Sequence, residues 1–110
     1  MPTYAAPALS PAAELAINVL GGNAARLAIL GFIVEHPGCL VSEIAKGTDL
    51  AIGTVKGHIS ALTATDVLDM DPAPTVPYAD RRGRHTRYTV SADKLATHYR
   101  ELGQLLGISE

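Results

Sequence analysis

The sequence predicts a mainly helical α+β domain in which a helix-turn-helix is followed by a two-stranded β-hairpin, with helices flanking both ends. Three observations predict it. Apolar residues recur at helical spacing in segments divided by glycine and proline. A short helical segment, a turn containing Gly47 and a longer helical segment follow one another between residues 42 and 65. Two short strand-like segments then bracket a cluster of arginines.

A chain of 110 residues fits one domain. With 47% hydrophobic residues, one Phe, four Tyr and no Trp, its core must be aliphatic. The single cysteine, Cys39, excludes an intramolecular disulfide. The Met-Pro-Thr-Tyr start lacks the basic and apolar regions of a signal peptide. The most apolar run, Leu27 to Val34, is too short to span a bilayer. A cytoplasmic protein is the expectation.

Residues 1–9, with Pro2 and Pro7, read as a flexible arm, and 10–110 as the single domain. Ser10-Pro11 starts a helix, with Ser as N-cap and Pro at the first helical position; Gly21-Gly22 ends it near Leu20. Asn23 caps a second helix. Leu27, Leu30, Gly31 and Val34 repeat at i, i+3, i+4 and i+7 there, and Ile29 and Ile33 are also apolar. A helix apolar on most sides is expected to be the buried spine. Pro37-Gly38 stops it. Cys39 to Val41 reads as a short extended segment.

A short helix is expected from Ser42 to about Lys46 or Gly47, then a turn through Leu50, then a helix from about Ala51 to Thr65 with Val55, Ile59 and Leu62 inward. The unit spans about 42–65 and the hairpin about 67–90, with strands at Val67–Asp71 and His85–Val90 around a proline-rich loop. Ser91 caps a last helix over about 91–107, with Asp93 favourably placed against its dipole and the stripe Leu95, Tyr99, Leu102 and Leu106. Gly107 closes it.

Charge is distributed unevenly. The net charge is −2, yet Arg81, Arg82, Arg84 and Arg87 make up four of the nine basic residues, while the first fifty residues hold only Arg26 and Lys46. Any nucleic-acid face must therefore lie mostly in the second half. A helix-turn-helix places the start of its second helix in the major groove. A basic hairpin beside it, the arrangement called a wing, reaches phosphates or the minor groove.

Four segments carry a family resemblance. Arg26-Leu-Ala-Ile-Leu30 looks like the opening of a central helix, Ser42-Glu-Ile-Ala45 like a first helix-turn-helix helix, Gly53-Thr-Val-Lys-Gly-His-Ile59 like a recognition helix, and Gly83-Arg-His-Thr-Arg-Tyr88 like a wing return. In this order they resemble the ArsR-like winged helix-turn-helix regulators, with MarR-like proteins as near relatives. The sequence departs from that pattern at Ala51, where an N-cap Ser is usual, at Gly57, where a longer polar side chain is common, and in the long loop at 72–80. The resemblance implies a transcriptional regulator that binds double-stranded DNA, and dimerisation through terminal helices.

The expected DNA-binding residues are Ile52, Gly53, Thr54, Lys56, Gly57 and Ser60 on the recognition helix and Arg81, Arg82, Arg84 and Arg87 on the wing. Lys56 can donate to guanine or phosphate, Ile52 can touch a thymine methyl, and the two glycines permit close approach. The expected homodimer interface is Leu15, Val19, Leu95, Tyr99, Leu102 and Leu106. His58 reads as a half-buried packing residue. His98 and Glu101, spaced i, i+3, resemble half of a zinc site but read as solvated, as do Asp66, Asp69 and Asp71. Cys39 lacks a neighbouring thiolate, since position 41 is Val. No metal, cofactor or enzymatic activity is expected. The leading reading is a dimeric repressor. The rivals are a repressor gated by a metal or small-molecule effector, and a winged helix used as a protein-interaction module.

Overall fold

The computed structural model describes residues 9–21, 23–73 and 85–108. Among them are five helices and two strands: α1 (Pro11–Leu20), α2 (Ala24–Glu35), α3 (Val41–Thr48), α4 (Ile52–Thr63), β1 (Leu68–Asp71), β2 (Arg87–Val90) and α5 (Ala92–Leu105). The fold is the mainly helical winged helix that the sequence predicts. No single described helix is long and apolar enough to cross a membrane.

The helix ends follow local chemistry. The Ser10 side chain accepts the Ala13 N–H at 3.1 Å and Asn23 accepts the Arg26 N–H at 3.2 Å, so both starts are capped as their sequences foretold. Glu43 reaches back to the Leu40 N–H at 2.8 Å, which is half of a capping box; Leu40 has no polar group to complete it. Ser91 occupies the N-cap position of α5, but its side chain accepts no capping bond. Gly107 ends that helix at φ 76°, with the Ile108 N–H on Gly103 O at 2.8 Å and the Gly107 N–H on Gln104 O at 3.0 Å, a Schellman closure that glycine makes without strain.

Two apolar clusters hold the elements. In the first, Ile29 and Ile33 of α2, Ile44 of α3 and Val55 and Ile59 of α4 pack with Cys39 and Tyr88. In the second, Val19 of α1, Leu30 of α2, Leu62 of α4 and Val67 pack together, with Leu15 and Leu95 against them. The hairpin is antiparallel, pairing Leu68 with Val90 and Asp71 with Arg87. Period-2 alternation turns Leu68, Met70, Tyr88 and Val90 to the core, while Asp69 and Asp71 stay exposed. Cys39 adds one β-bridge to Tyr88: each N–H donates to the other's carbonyl, at 3.2 and 2.9 Å. This is the expected extended segment, reduced to a single residue.

Three expectations change. α2 is not buried all round: Ile29, Leu30 and Ile33 face inward, while Leu27 and Val34 are 44% and 50% exposed. The stripe on α5 is rotated, so that His98 (4% exposed) lies between the half-buried Leu95 and Leu102, and Tyr99 is 64% exposed. Both apolar sets suit a 3.6-residue period, and only the neighbours decide the phase. Val19 is fully buried within the chain, so it cannot meet a partner as expected; it packs on Leu30 and Leu62 instead.

Gly47 lies under the Phe32 ring, where an added Cβ would stand inside the ring's van der Waals envelope. Gly47→Ala is therefore expected to lower stability by about 1 kcal/mol or more despite alanine's better helix propensity, as read by urea denaturation.

Candidate nucleic-acid interface

α4 divides cleanly by period. Val55, Ile59 and Leu62 are buried, and Ile52, Gly53, Thr54, Lys56, Gly57 and Ser60 are exposed. The structure thus brings all six expected residues of this helix onto its solvent side. Lys56 is the one long cationic side chain among them. Among the described residues nothing outside the helix itself lies within 4 Å of where a Cβ would stand on Gly53 or Gly57. Internal packing therefore does not require either glycine, and the two leave the helix backbone uncovered.

The start of α4 is open as well. Ala51 is its N-cap and offers no side-chain acceptor. The first helical bond runs from the Val55 N–H to Ala51 O at 3.1 Å, so the amides of Ile52, Gly53 and Thr54 come before the ladder begins, at the positive end of the helix dipole. Exposed amides there suit an anion such as a phosphate.

Arg26 sets how α4 sits. Its Nε donates to His58 Nδ1 at 3.2 Å and its Nη1 to Asn18 O at 2.6 Å, tying α2 to both α4 and α1. His58 is half-buried, and its accepting Nδ1 carries no proton in this bond. Nothing local in the sequence marks Arg26 for this role, because its partners lie 8 and 32 residues away.

The wing residues divide. Arg81, Arg82 and Arg84 lie outside the described residues. Arg87 is exposed on β2 and donates from Nη1 to Gly38 O at 3.0 Å, so it clasps the turn after α2. Gly38, at φ 76°, donates its N–H to Tyr88 O at 2.9 Å and to Thr89 Oγ1 at 3.1 Å. The stem of the hairpin is thereby fixed against the helix-turn-helix.

His98 and Asp66, both read as solvated from sequence, form a pair. His98 Nε2 donates to Asp66 Oδ1 at 2.7 Å, from a nearly buried ring to a carboxylate that is 41% exposed. The bond holds the Asp66 carboxyl below its ordinary pKa. It links α5 to the turn after α4. Burial raises the Cys39 thiol, and its Sγ lies 3.9 Å from Tyr88 O. Among the described residues no three His, Cys, Asp or Glu side chains form a group that could hold a metal.

No protein-family model matches the chain, and no curated protein matches it. Among solved structures, it is similar to the crystal structure of NolR from Sinorhizobium fredii, with a TM-score of 0.59 and 24% identity over 94% of this chain and 100% of that one. The likeness is one of fold, and it agrees with the winged helix described above.

Two predictions follow from local geometry. Gly53→Ala and Gly57→Ala should each raise stability by about 0.5–1 kcal/mol, since the Cβ meets nothing and the helix gains propensity; thermal or urea melts would show it. Asp66→Asn should lower stability at neutral pH. Asp66 titrates lower when folded than when unfolded, so its contribution is complete above the unfolded carboxyl pKa of about 4 and is lost as pH falls through the folded value. The gap between mutant and wild type should therefore close in acid, as followed by denaturation at a series of pH values.

Proposed function

We propose that the chain is a double-stranded DNA-binding transcriptional regulator, acting as a dimeric repressor in the cytoplasm. The observation that carries this reading is the outer face of α4: core residues on one side, and on the other a nearly bare helix bearing Lys56, Thr54 and Ser60. Fold stability alone favours alanine at positions 53 and 57, so the two glycines are best explained by close approach of another molecule. A winged helix offers this helix to the major groove. Arg81, Arg82 and Arg84 supply charge to the phosphates or the minor groove, and the donors of Arg87 not held by Gly38 can add to it.

Dimerisation uses the exposed side of α5, with Tyr99 and Leu106; the half-buried Leu15, Leu95 and Leu102 contribute their edges. A two-fold dimer reads two half-sites of a pseudo-palindrome. Repression follows from occlusion of a promoter. The resemblance of four segments to ArsR-like regulators supports this assignment.

A second reading is favoured by the net charge of −2 and by the exposed carboxylates Asp69 and Asp71 on the hairpin stem: a winged helix that binds protein rather than DNA.

Fluorescence-anisotropy titration of random and selected duplexes at several salt concentrations separates the two. Neutralisation of about eight phosphates by a dimer gives a log–log slope near −7. An Arg81/Arg82/Arg84→Ala variant should lose most of the affinity and flatten the slope. Gly57→Ala should weaken DNA binding while making the protein more stable. A folded protein that binds no duplex at low salt would remove the DNA reading in favour of a protein partner.

A further inference from the structure

Between α2, β2 and α5 runs an open groove of about 480 Å³, within the range of small-molecule sites. Val34, Pro37, Val90 and Leu95 form apolar parts of its wall, and Tyr99 and Arg100 are its exposed polar members. Among the described residues its charge has one sign: Arg100 is the only cation in the lining, and no carboxylate lines it. Among the described residues Arg100 forms no ion pair, and its one hydrogen bond is a long 3.4 Å contact from Nη2 to Thr97 Oγ1. An apolar trough with a guanidinium at its edge complements a molecule with a hydrophobic body and a single negative charge.

We propose that this groove binds a small amphipathic carboxylate, with the apolar body along Val34 and Leu95 and the carboxylate on Arg100. Guanidinium and carboxylate match as a two-pronged, charge-assisted pair. Pro37 and Thr89, also in the lining, flank the clasp in which Gly38 donates to Tyr88 O and Thr89 Oγ1, so an occupant braces the stem of the hairpin. The proposal does not rest on DNA binding and is tested without DNA.

The test is calorimetric titration of the full chain with 4-phenylbutyrate and with octanoate, each beside its neutral amide. Saturable binding of one or both carboxylates at one per chain is expected, at least about tenfold tighter than the amide. Arg100→Gln should abolish that preference while leaving the melting temperature near that of the wild type. Ala96→Trp, which fills the groove from the exposed side of α5, should remove binding altogether. The proposal is overturned if neither carboxylate saturates below ~1 mM, if acid and amide bind equally, or if Arg100→Gln keeps the preference. It is also overturned if Ala96→Trp leaves carboxylate binding intact.

Discussion

Cys39 and Tyr88 exchange backbone hydrogen bonds across 49 residues of chain, and much of the remaining geometry depends on that exchange. Both side chains are buried in the cluster that also holds Val55 and Ile59, so the hairpin and α4 share one set of packing partners. Gly38 on one side of the bridge and Arg87 on the other close a clasp around it. A buried strand residue, Tyr88, paired with Met70 on one edge and Cys39 on the other leaves little freedom in the angle between hairpin and α4. A wing is useful to a groove-binding helix only if that angle is held, because phosphate contacts set the register in which base contacts are made.

The glycines of the helix-turn-helix show how one residue type serves opposite ends. At position 47 Phe32 occupies the place a side chain would take, so glycine there serves a contact within the fold. At positions 53 and 57 no described residue fills the space, and the helix carries the entropic cost with no internal return. The same logic applies to the uncapped start of α4. A domain that spends its cap and its helix propensity in one place, on its outer surface, has a use for that surface.

Much of this was legible in the sequence. The N-caps Ser10 and Asn23, the stop at Pro37-Gly38, the inward triad Val55, Ile59 and Leu62 and the two strands all follow from local chemistry and period. What could not be read was phase and long-range pairing. On α5 both Tyr99 and His98 fit the inward face between Leu95 and Leu102; the carboxylate of Asp66, 32 residues away, favours His98. On α2 an almost wholly apolar sequence hides which side is covered, and the solvent side kept Leu27 and Val34. Arg26 looked like an isolated charge because its acceptors are a backbone carbonyl and a histidine on other helices. Val19 fitted a surface stripe, but a helix as short as α1 needs its largest inward residue for its own packing.

The open space around positions 53 and 57 has an evolutionary side. A Cβ added at either position meets no described residue outside the helix, and Val55, Ile59 and Leu62 face the other way. Change on this face is thus uncoupled from foldability. New surface chemistry can accumulate there one substitution at a time, and copies of such a chain can diverge on this face while their cores remain the same.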